Sequence, residues 1–576
     1  MGINSFARLI IALLIVLVAL PLLTPAQSSP ELTGERLANG RKEPQNWPTY
    51  FGAYDGWRYS PLDQIRADNV KNLAPVWAFQ TGKIDGGLNA TPLVVDGVMY
   101  LIASEDRVFA LNAETGERLW TYNYKVPRGF ISPYGKSNRG LAVAYGLVYF
   151  GTMDNHVVAL DAATGKESWN VEVEDVKKCG CNINGAPIVV KDKVVVGGTG
   201  GDSAHRGYIN AFNAKTGRLA WRFYTIPGPG EPGHESWGGT EMWKFGGGST
   251  WLTGSYDPEL NLIYWGIGNP ASDFHNDIRP GTNLYTDCIV ALDPDTGKLK
   301  WYYQEIPGDS WDFDSAYECV LIDITRNGKT EKLLVHPNKS GFTWVIDRVT
   351  GKFKNAWRYI DTINWVKEID KEGNLIERNE PEVGKAKLMC PNWGGGRSWN
   401  HSAYSPRTGW WYNNGIEWCG DTIAFAQEPR EGQGFVAGNV ITKPPPNGRI
   451  TAHLDAFDPV TGEKKWSVPS KYPILSSLLA TGGDLLFLGD VEGRFLAYDA
   501  KTGKQLWSFN TGSGHRGGPI TYSVKGRQYV AAPSGLGSLF VAGMPATWPE
   551  VVDFPGGSTV FVFALPGQTG ASGRSR

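Results

Sequence analysis

The chain has 576 residues, among them 72 glycines, 23 tryptophans, 24 tyrosines and 23 phenylalanines. With 56 Lys and Arg against 58 Asp and Glu, the net charge is −2, so neither nucleic acid nor an anionic membrane surface is an expected partner. So many glycines beside so many aromatics suit short strands, tight turns and flat packing surfaces.

At the N-terminus, Arg8 supplies a positive charge, Leu9 to Leu20 is an unbroken apolar run, and small Thr24 and Ala26 suit cleavage before Gln27. This predicts a signal peptide over 1–26 and a periplasmic mature protein. The alternative is an uncleaved anchor, but the run is short for a membrane span of about 20 residues. Export permits disulfides among Cys179, Cys181, Cys288, Cys319, Cys390 and Cys419. No Cys-x-x-Cys-His occurs, so a covalently attached haem is not expected.

One pattern then recurs seven times: an alternating apolar strand, Thr-Gly, and a short strand carrying Trp. The copies are FALNAETGERLW (109–120), VALDAATGKESW (158–169), NAFNAKTGRLAW (210–221), VALDPDTGKLKW (290–301), WVIDRVTGKFKNAW (344–357), DAFDPVTGEKKW (455–466) and LAYDAKTGKQLW (496–507). Each reads as a β-hairpin whose glycine supplies the turn and whose Trp fills the gap to a neighbouring sheet. Strands such as 94–104 and 189–198 are expected on the outside of each unit, making four strands per unit. The ends supply one more hairpin: VWAFQTG (76–82) has the Trp strand without its partner, and VFVFALP (560–566) has the partner without its Trp. The predicted fold is all-β, an eight-bladed β-propeller of four-stranded antiparallel blades over 27–566, with a disordered tail at 567–576. Spacing widens after Trp221 and Trp357, leaving 225–250 and 361–400 as loops long enough to build a site.

Combined with these repeats, SNRG (137–140), GGGSTWLTGSYDPELNLIYWGIGNP (246–270) and DSWDFD (309–314) resemble the methanol and ethanol dehydrogenases that depend on pyrroloquinoline quinone (PQQ). The resemblance runs from about Trp47 to about Leu565. It implies a propeller with PQQ on its axis, a metal ion, an alcohol substrate and a separate soluble cytochrome c as electron acceptor, with a homodimer left open. By position, Trp251 matches the indole beneath the quinone, Asn269 a metal ligand, and Asp312 both a metal ligand and the catalytic base. Arg139 and Lys339 match cationic contacts to the cofactor. Ser249 and Thr250 are placed to donate hydrogen bonds, and Thr199 and Gly200 fall in the segment along the cofactor's edge. The resemblance also pairs Cys390 with Cys419; Cys288 and Cys319, on apolar segments either side of DSWDFD, form a weaker second pair.

Several positions depart from the methanol dehydrogenase pattern. Asp202 stands where a longer Glu ligates metal, Asn89 replaces an acidic cofactor contact, and Asn184 replaces a threonine. The adjacent Cys-Cys pair over the cofactor is missing; Tyr134 is a candidate cover, and Cys179 and Cys181 are either its substitute or a buried inert pair. Leu475 and Leu539 align with two pocket tryptophans, which predicts a substrate larger than methanol. Asp314 resembles the lanthanide-dependent branch, and three carboxylates at 202, 312 and 314 favour a lanthanide(III) over Ca²⁺. Two rival functions are a quinoprotein aldose dehydrogenase and a non-catalytic propeller scaffold.

Overall fold

Each repeat folds locally because its side chains satisfy its own turn. In the first copy, strands Arg107–Asn112 and Arg118–Asn123 flank a turn in which Asn112 Oδ1 accepts the backbone N–H groups of Glu114 at 2.9 Å and Thr115 at 3.1 Å. Gly116 closes it at φ 76°, a region that costs a residue with a Cβ. In the last copy Asp499 plays the same part, accepting from Lys501 and Thr502, both at 2.9 Å. Strands Leu93–Val95 and Val98–Ala103 precede the first hairpin and complete a four-stranded antiparallel sheet. The expectation that such strands lie outermost is overturned: both are almost wholly buried, and the Trp strand forms the solvent-facing edge. The physical reason is composition. The leading strands carry apolar residues on both faces, whereas the Trp strand alternates apolar with polar.

The structure is a computed structural model describing residues 31–567 apart from 327 and 447; the expected signal peptide and residues 568–576 of the expected tail lie outside the described residues. Among the described residues there are ten sheets, eight of four or five strands and two smaller ones. One of the eight is assembled from both ends of the chain. Strand Ala74–Gln80 pairs antiparallel with Thr559–Ala564, Ala74 opposite Ala564 and Gln80 opposite Thr559.

The tryptophans join consecutive sheets by a repeated contact. A methyl group on Gly116 would stand 2.6 Å from the Trp77 ring, on Gly165 2.6 Å from Trp120, on Gly217 2.8 Å from Trp169 and on Gly297 2.6 Å from Trp221. The series continues with Trp301 on Gly351, Trp357 on Gly462 and Trp466 on Gly503. Many of these indoles also donate Nε1–H to a carbonyl of the sheet they cover, as from Trp120 to Ala162 at 3.0 Å and from Trp169 to Ala214 at 3.1 Å. Trp507 donates to Leu73 at 3.1 Å, immediately before the closing sheet. Trp77 of that sheet covers Gly116, so the succession returns to its start.

Two disulfides are present. Cys390–Cys419 joins segments 29 residues apart, worth about 3 kcal/mol in the chain-entropy account. Cys179 and Cys181 are bonded to each other and buried. The Cys288–Cys319 pairing does not form: both are buried free thiols. Cys288 opens the strand Cys288–Leu292 and belongs to the apolar cluster that holds Val290 and Trp265, whereas Cys319 belongs to a separate cluster with Trp311 and Phe313.

Two outcomes are expected. Gly116 and Gly146 both have positive φ, but only Gly116 has a ring against it. Alanine at either position costs backbone strain of about 1–3 kcal/mol, and Gly116→Ala should lower the thermal midpoint clearly further than Gly146→Ala; equal shifts would show that the indole contact is slack. Peptide mapping without reduction should recover 179–181 and 390–419 as linked peptides, with Cys288 and Cys319 alkylated only after unfolding.

Candidate metal and cofactor site

Loops between the sheets enclose a cavity of about 810 Å³ including its mouth, within the size range of small-molecule sites. Most of the expected residues line it: Arg139, Asn184, Thr199, Gly200, Asp202, Ser249, Trp251, Asp314 and Lys339. Asn269 and Asp312 adjoin it. A methyl group on Gly201 would stand 2.5 Å from Asn269 Oδ1 and 2.8 Å from Ser249 Oγ, so a glycine is needed for the Asn269 amide to reach this wall.

One end of the site is acidic. Asp202, Asp273 and Asp312 each offer a carboxylate oxygen, all within 4.8 Å of one another. Lys339 Nζ lies 3.0 Å from Asp312 Oδ2 and 2.9 Å from Asp314 Oδ2, and Trp251 Nε1 donates to Asp314 Oδ1 at 3.2 Å. Asn269 Nδ2 donates to Asp273 Oδ1 at 3.0 Å. Asp312 is held at φ 63°, a left-handed conformation that an aspartate adopts at some cost. Burial, aided by the charge of Asp314, pushes Asp202 up to about 6. Burial raises Asp273 well above the usual carboxylate range, with Asp202 and Asp312 adding to it. Burial likewise raises Asp312, against the opposing pull of Lys339. Burial alone would lower Lys339, but Asp312 and Asp314 hold it well above its ordinary value.

Among the described residues, Lys339 is the one cation among these carboxylates and offsets only part of their charge. Asn269 Oδ1, Asp312 Oδ1 and Ser249 Oγ are buried without hydrogen-bond partners, and buried oxygens without partners are costly. Clustered carboxylates ionise together only beside a cation. Carboxylate and amide oxygens form the donor set of a hard metal ion, so the residues present fit one. Asp273 was missed by the sequence reading. It lies four residues beyond Asn269, in NPASD, and nothing local separates it from a loop aspartate. Asp314 is not in the converging trio; it is tied to Lys339 and Trp251 instead.

The other end is flat and basic. The Arg139 guanidinium lies 4.7 Å from the Trp251 ring centroid and 4.7 Å from that of Trp399. Arg139 also donates to Asn184 Oδ1. Indole faces and buried cations fit a planar, polycarboxylated cofactor. Trp393, Trp399, Arg516 and Phe540 also line the cavity and were not anticipated, because they lie outside any repeat, the first three on loops and Phe540 in the short helix Leu539–Gly543. Tyr134 lines it too, its hydroxyl 3.0 Å from Ser203 Oγ.

Other expected positions fall elsewhere. Thr250 is structural, donating to the Tyr208 carbonyl at 2.7 Å. The Cys179–Cys181 disulfide does not line the cavity; a methyl group on Gly200 would stand 3.2 Å from Cys181 Cβ, which puts the bridge beside that glycine and makes it the buried pair rather than the cofactor cover. Asn89 is outside the lining and donates to the Gly86 carbonyl at 3.1 Å. Leu475 does not widen the cavity: it is fully buried among Ile416, Trp418 and Tyr472. Leu539 does line the mouth, 63% exposed.

The family model for PQQ, described as glucose/ethanol/alcohol dehydrogenase, beta-propeller domain, matches residues 47–353 and 468–530. The quinoprotein alcohol dehydrogenase PedH of Pseudomonas putida is 37% identical, covering 98% of each chain. The quinohemoprotein alcohol dehydrogenase of Comamonas testosteroni is 38% identical over 92% of this chain and 77% of that protein. Among solved structures, a europium-containing methanol dehydrogenase superposes with a TM-score of 0.87 at 35% identity, covering 92% of this chain and 100% of that one. The C. testosteroni enzyme superposes with a TM-score of 0.85 at 36% identity, covering 93% and 83%.

Protons and a cation compete for the acidic end, which sets a pH dependence. The raised Asp202 binds a proton in the folded, metal-free protein up to about pH 6, and a cation must displace it. The gain in thermal midpoint on adding Ca²⁺ or La³⁺ should therefore be small at pH 5 and grow as pH rises through 6 to 7. A gain independent of pH would place the cation elsewhere.

Proposed function

Because the chain belongs to the PQQ-dependent alcohol dehydrogenase family, we propose that it oxidises an alcohol larger than methanol to the aldehyde or ketone in the periplasm, passing electrons to a separate soluble cytochrome c. The observation that carries the catalytic reading is the meeting of Asp202, Asp273, Asp312 and the unpartnered Asn269 Oδ1 beside Lys339 and Trp251. The eight larger sheets and the returning succession of Trp contacts support a closed, eight-bladed propeller around this site.

When bound, PQQ supplies a quinone that takes up two electrons and the cation supplies Lewis acidity. The remaining work belongs to the chain. Trp251 offers the flat floor, and Arg139, Asn184, Thr199, Gly200, Ser249 and Lys339 surround the cofactor's polar edge. Asp202, Asn269, Asp273 and Asp312 hold the cation. Asp312 Oδ1 has no partner and accepts the alcohol's hydroxyl proton, while Lys339, 3.0 Å from Oδ2, orients the carboxylate and favours its ionised form. Neutralising that much buried negative charge, with Asp314 beside it, favours a lanthanide(III) over Ca²⁺. The europium in the methanol dehydrogenase neighbour supports this choice. Leu539 at the mouth, where the resemblance has an indole, supports the larger substrate.

The test is to strip the metal, add PQQ, and titrate La³⁺ and Ca²⁺ while following dye reduction with alcohols, aldehydes and sugars. La³⁺ should support turnover better than Ca²⁺, and a longer alcohol should exceed methanol in kcat/KM. Full activity with Ca²⁺ alone overturns the metal choice, and preference for an aldose overturns the substrate class. Asp312→Asn should lower kcat by roughly 10²–10⁴-fold with the thermal midpoint kept; undiminished turnover would remove Asp312 from proton transfer.

A further inference from the structure

Arg516 belongs to no repeat and to none of the roles assigned above. It sits in the run Gly512–Pro519, between strands Gln505–Asn510 and Ile520–Val524, with its side chain fully buried and lining the cavity. Its Nη1 donates to Ser398 Oγ at 2.9 Å and to Asn400 Oδ1, and its Nε has no partner. Its guanidinium lies 4.7 Å from the centroid of Trp399, the same ring that Arg139 approaches at 4.7 Å. Arg139 Nε is likewise buried and unpartnered, as are those of Arg279 and Arg397, so the difference lies in the acids around each guanidinium.

Other buried arginines of this chain are compensated. Arg397 pairs with Glu318 at 2.9 Å. Arg58 donates to three backbone carbonyls. Asp309, Asp273 and Asp287 act on Arg279. Among the described residues, neither Arg139 nor Arg516 forms an ion pair; Asp314 acts on Arg139 from beyond ion-pair distance, and no acid acts on Arg516 in the same way. Burial, together with the like charge of Arg139, pushes Arg516 down to about 9. Two guanidiniums facing one cavity with no acid paired to either call for an anionic ligand, and planar carboxylates match the guanidinium fork.

We propose that Arg516, stacked on Trp399 beside the Arg139 already assigned to the cofactor, completes a seat for a carboxylate of the bound cofactor. The proposal rests on the PQQ reading above. A carboxylate on the substrate is the other source of the same chemistry.

The experiment titrates PQQ into the full-length, metal-supplemented apoprotein, read by quenching of tryptophan fluorescence, for wild type, Arg516→Gln and Arg516→Lys. Arg516→Gln should weaken PQQ binding roughly 10–100-fold, as expected for a lost charge-assisted hydrogen bond, and Arg516→Lys should recover part of the loss. The trimethyl ester of PQQ should bind wild type more weakly, with the gap between wild type and either variant narrowed. If Arg516→Gln fails to fold, the acid-against-ester comparison on wild type and Arg516→Lys carries the test. PQQ affinity unchanged in Arg516→Gln overturns the cofactor seat. If that variant also loses turnover of an ω-hydroxy acid relative to the neutral alcohol of equal length, the seat belongs to the substrate instead. Wild type that fails to bind PQQ overturns the cofactor reading itself, which is a different result from a variant that binds as wild type does.

Discussion

An indole lying on a glycine, repeated from sheet to sheet, is the contact on which the rest of this molecule depends. The turn glycine serves two purposes at once. Its positive φ ends the hairpin, and its bare Cα leaves room for the ring of the preceding sheet. A side chain there would meet both penalties together. Because the contact is formed by residues of one short motif, each sheet carries its own means of attachment on both sides, and the loops between sheets are free to vary in length. The site draws on that freedom: its residues come from segments as far apart in sequence as Arg139 and Arg516.

The site itself is organised by unbalanced charge. Three carboxylates converge at one end and two unpaired guanidiniums stand at the other. Each group is buried, so each is costly alone. Lys339 offsets part of the acidic end, bridging Asp312 and Asp314. What remains is a polarised cavity, acidic where a cation fits and basic where an anion fits. A ligand carrying a metal contact at one edge and carboxylates elsewhere matches that polarity, and a neutral molecule does not.

Much of this was legible in the sequence because it is repetitive or motif-borne. The seven Thr-Gly-Trp hairpins and the split eighth pair follow from alternation and turn chemistry, and they correspond to sheets and contacts in the structure. Trp251, Asn269, Asp312 and Lys339 could be named because each lies in a dense motif. What was not legible depends on how distant loops meet. Asp273 looks like any loop aspartate until Asp202 is brought to it. Trp399 and Arg516 are separated by more than a hundred residues and acquire meaning only as a stack. Cys288 and Cys319 flank one loop, but they enter different apolar clusters, which sequence proximity cannot reveal. Leu475 occupies the alignment position of a pocket residue, and here the backbone turns it into the packing around Trp418.

The sheet shared by the two ends of the chain bears on how the protein comes into being. A polypeptide emerging N-terminus first presents Ala74–Gln80 early, and Thr559–Ala564, the strand hydrogen-bonded to it, is among the last segments made. Until then that early strand lacks its partner, and its edge is open to pairing with another copy. Almost the whole chain must be made before that sheet can be completed, so a product truncated near the end has the repeat hairpins present and this pairing missing. The edge of Ala74–Gln80 is thus the last of the large sheets' edges to find its partner from within the chain.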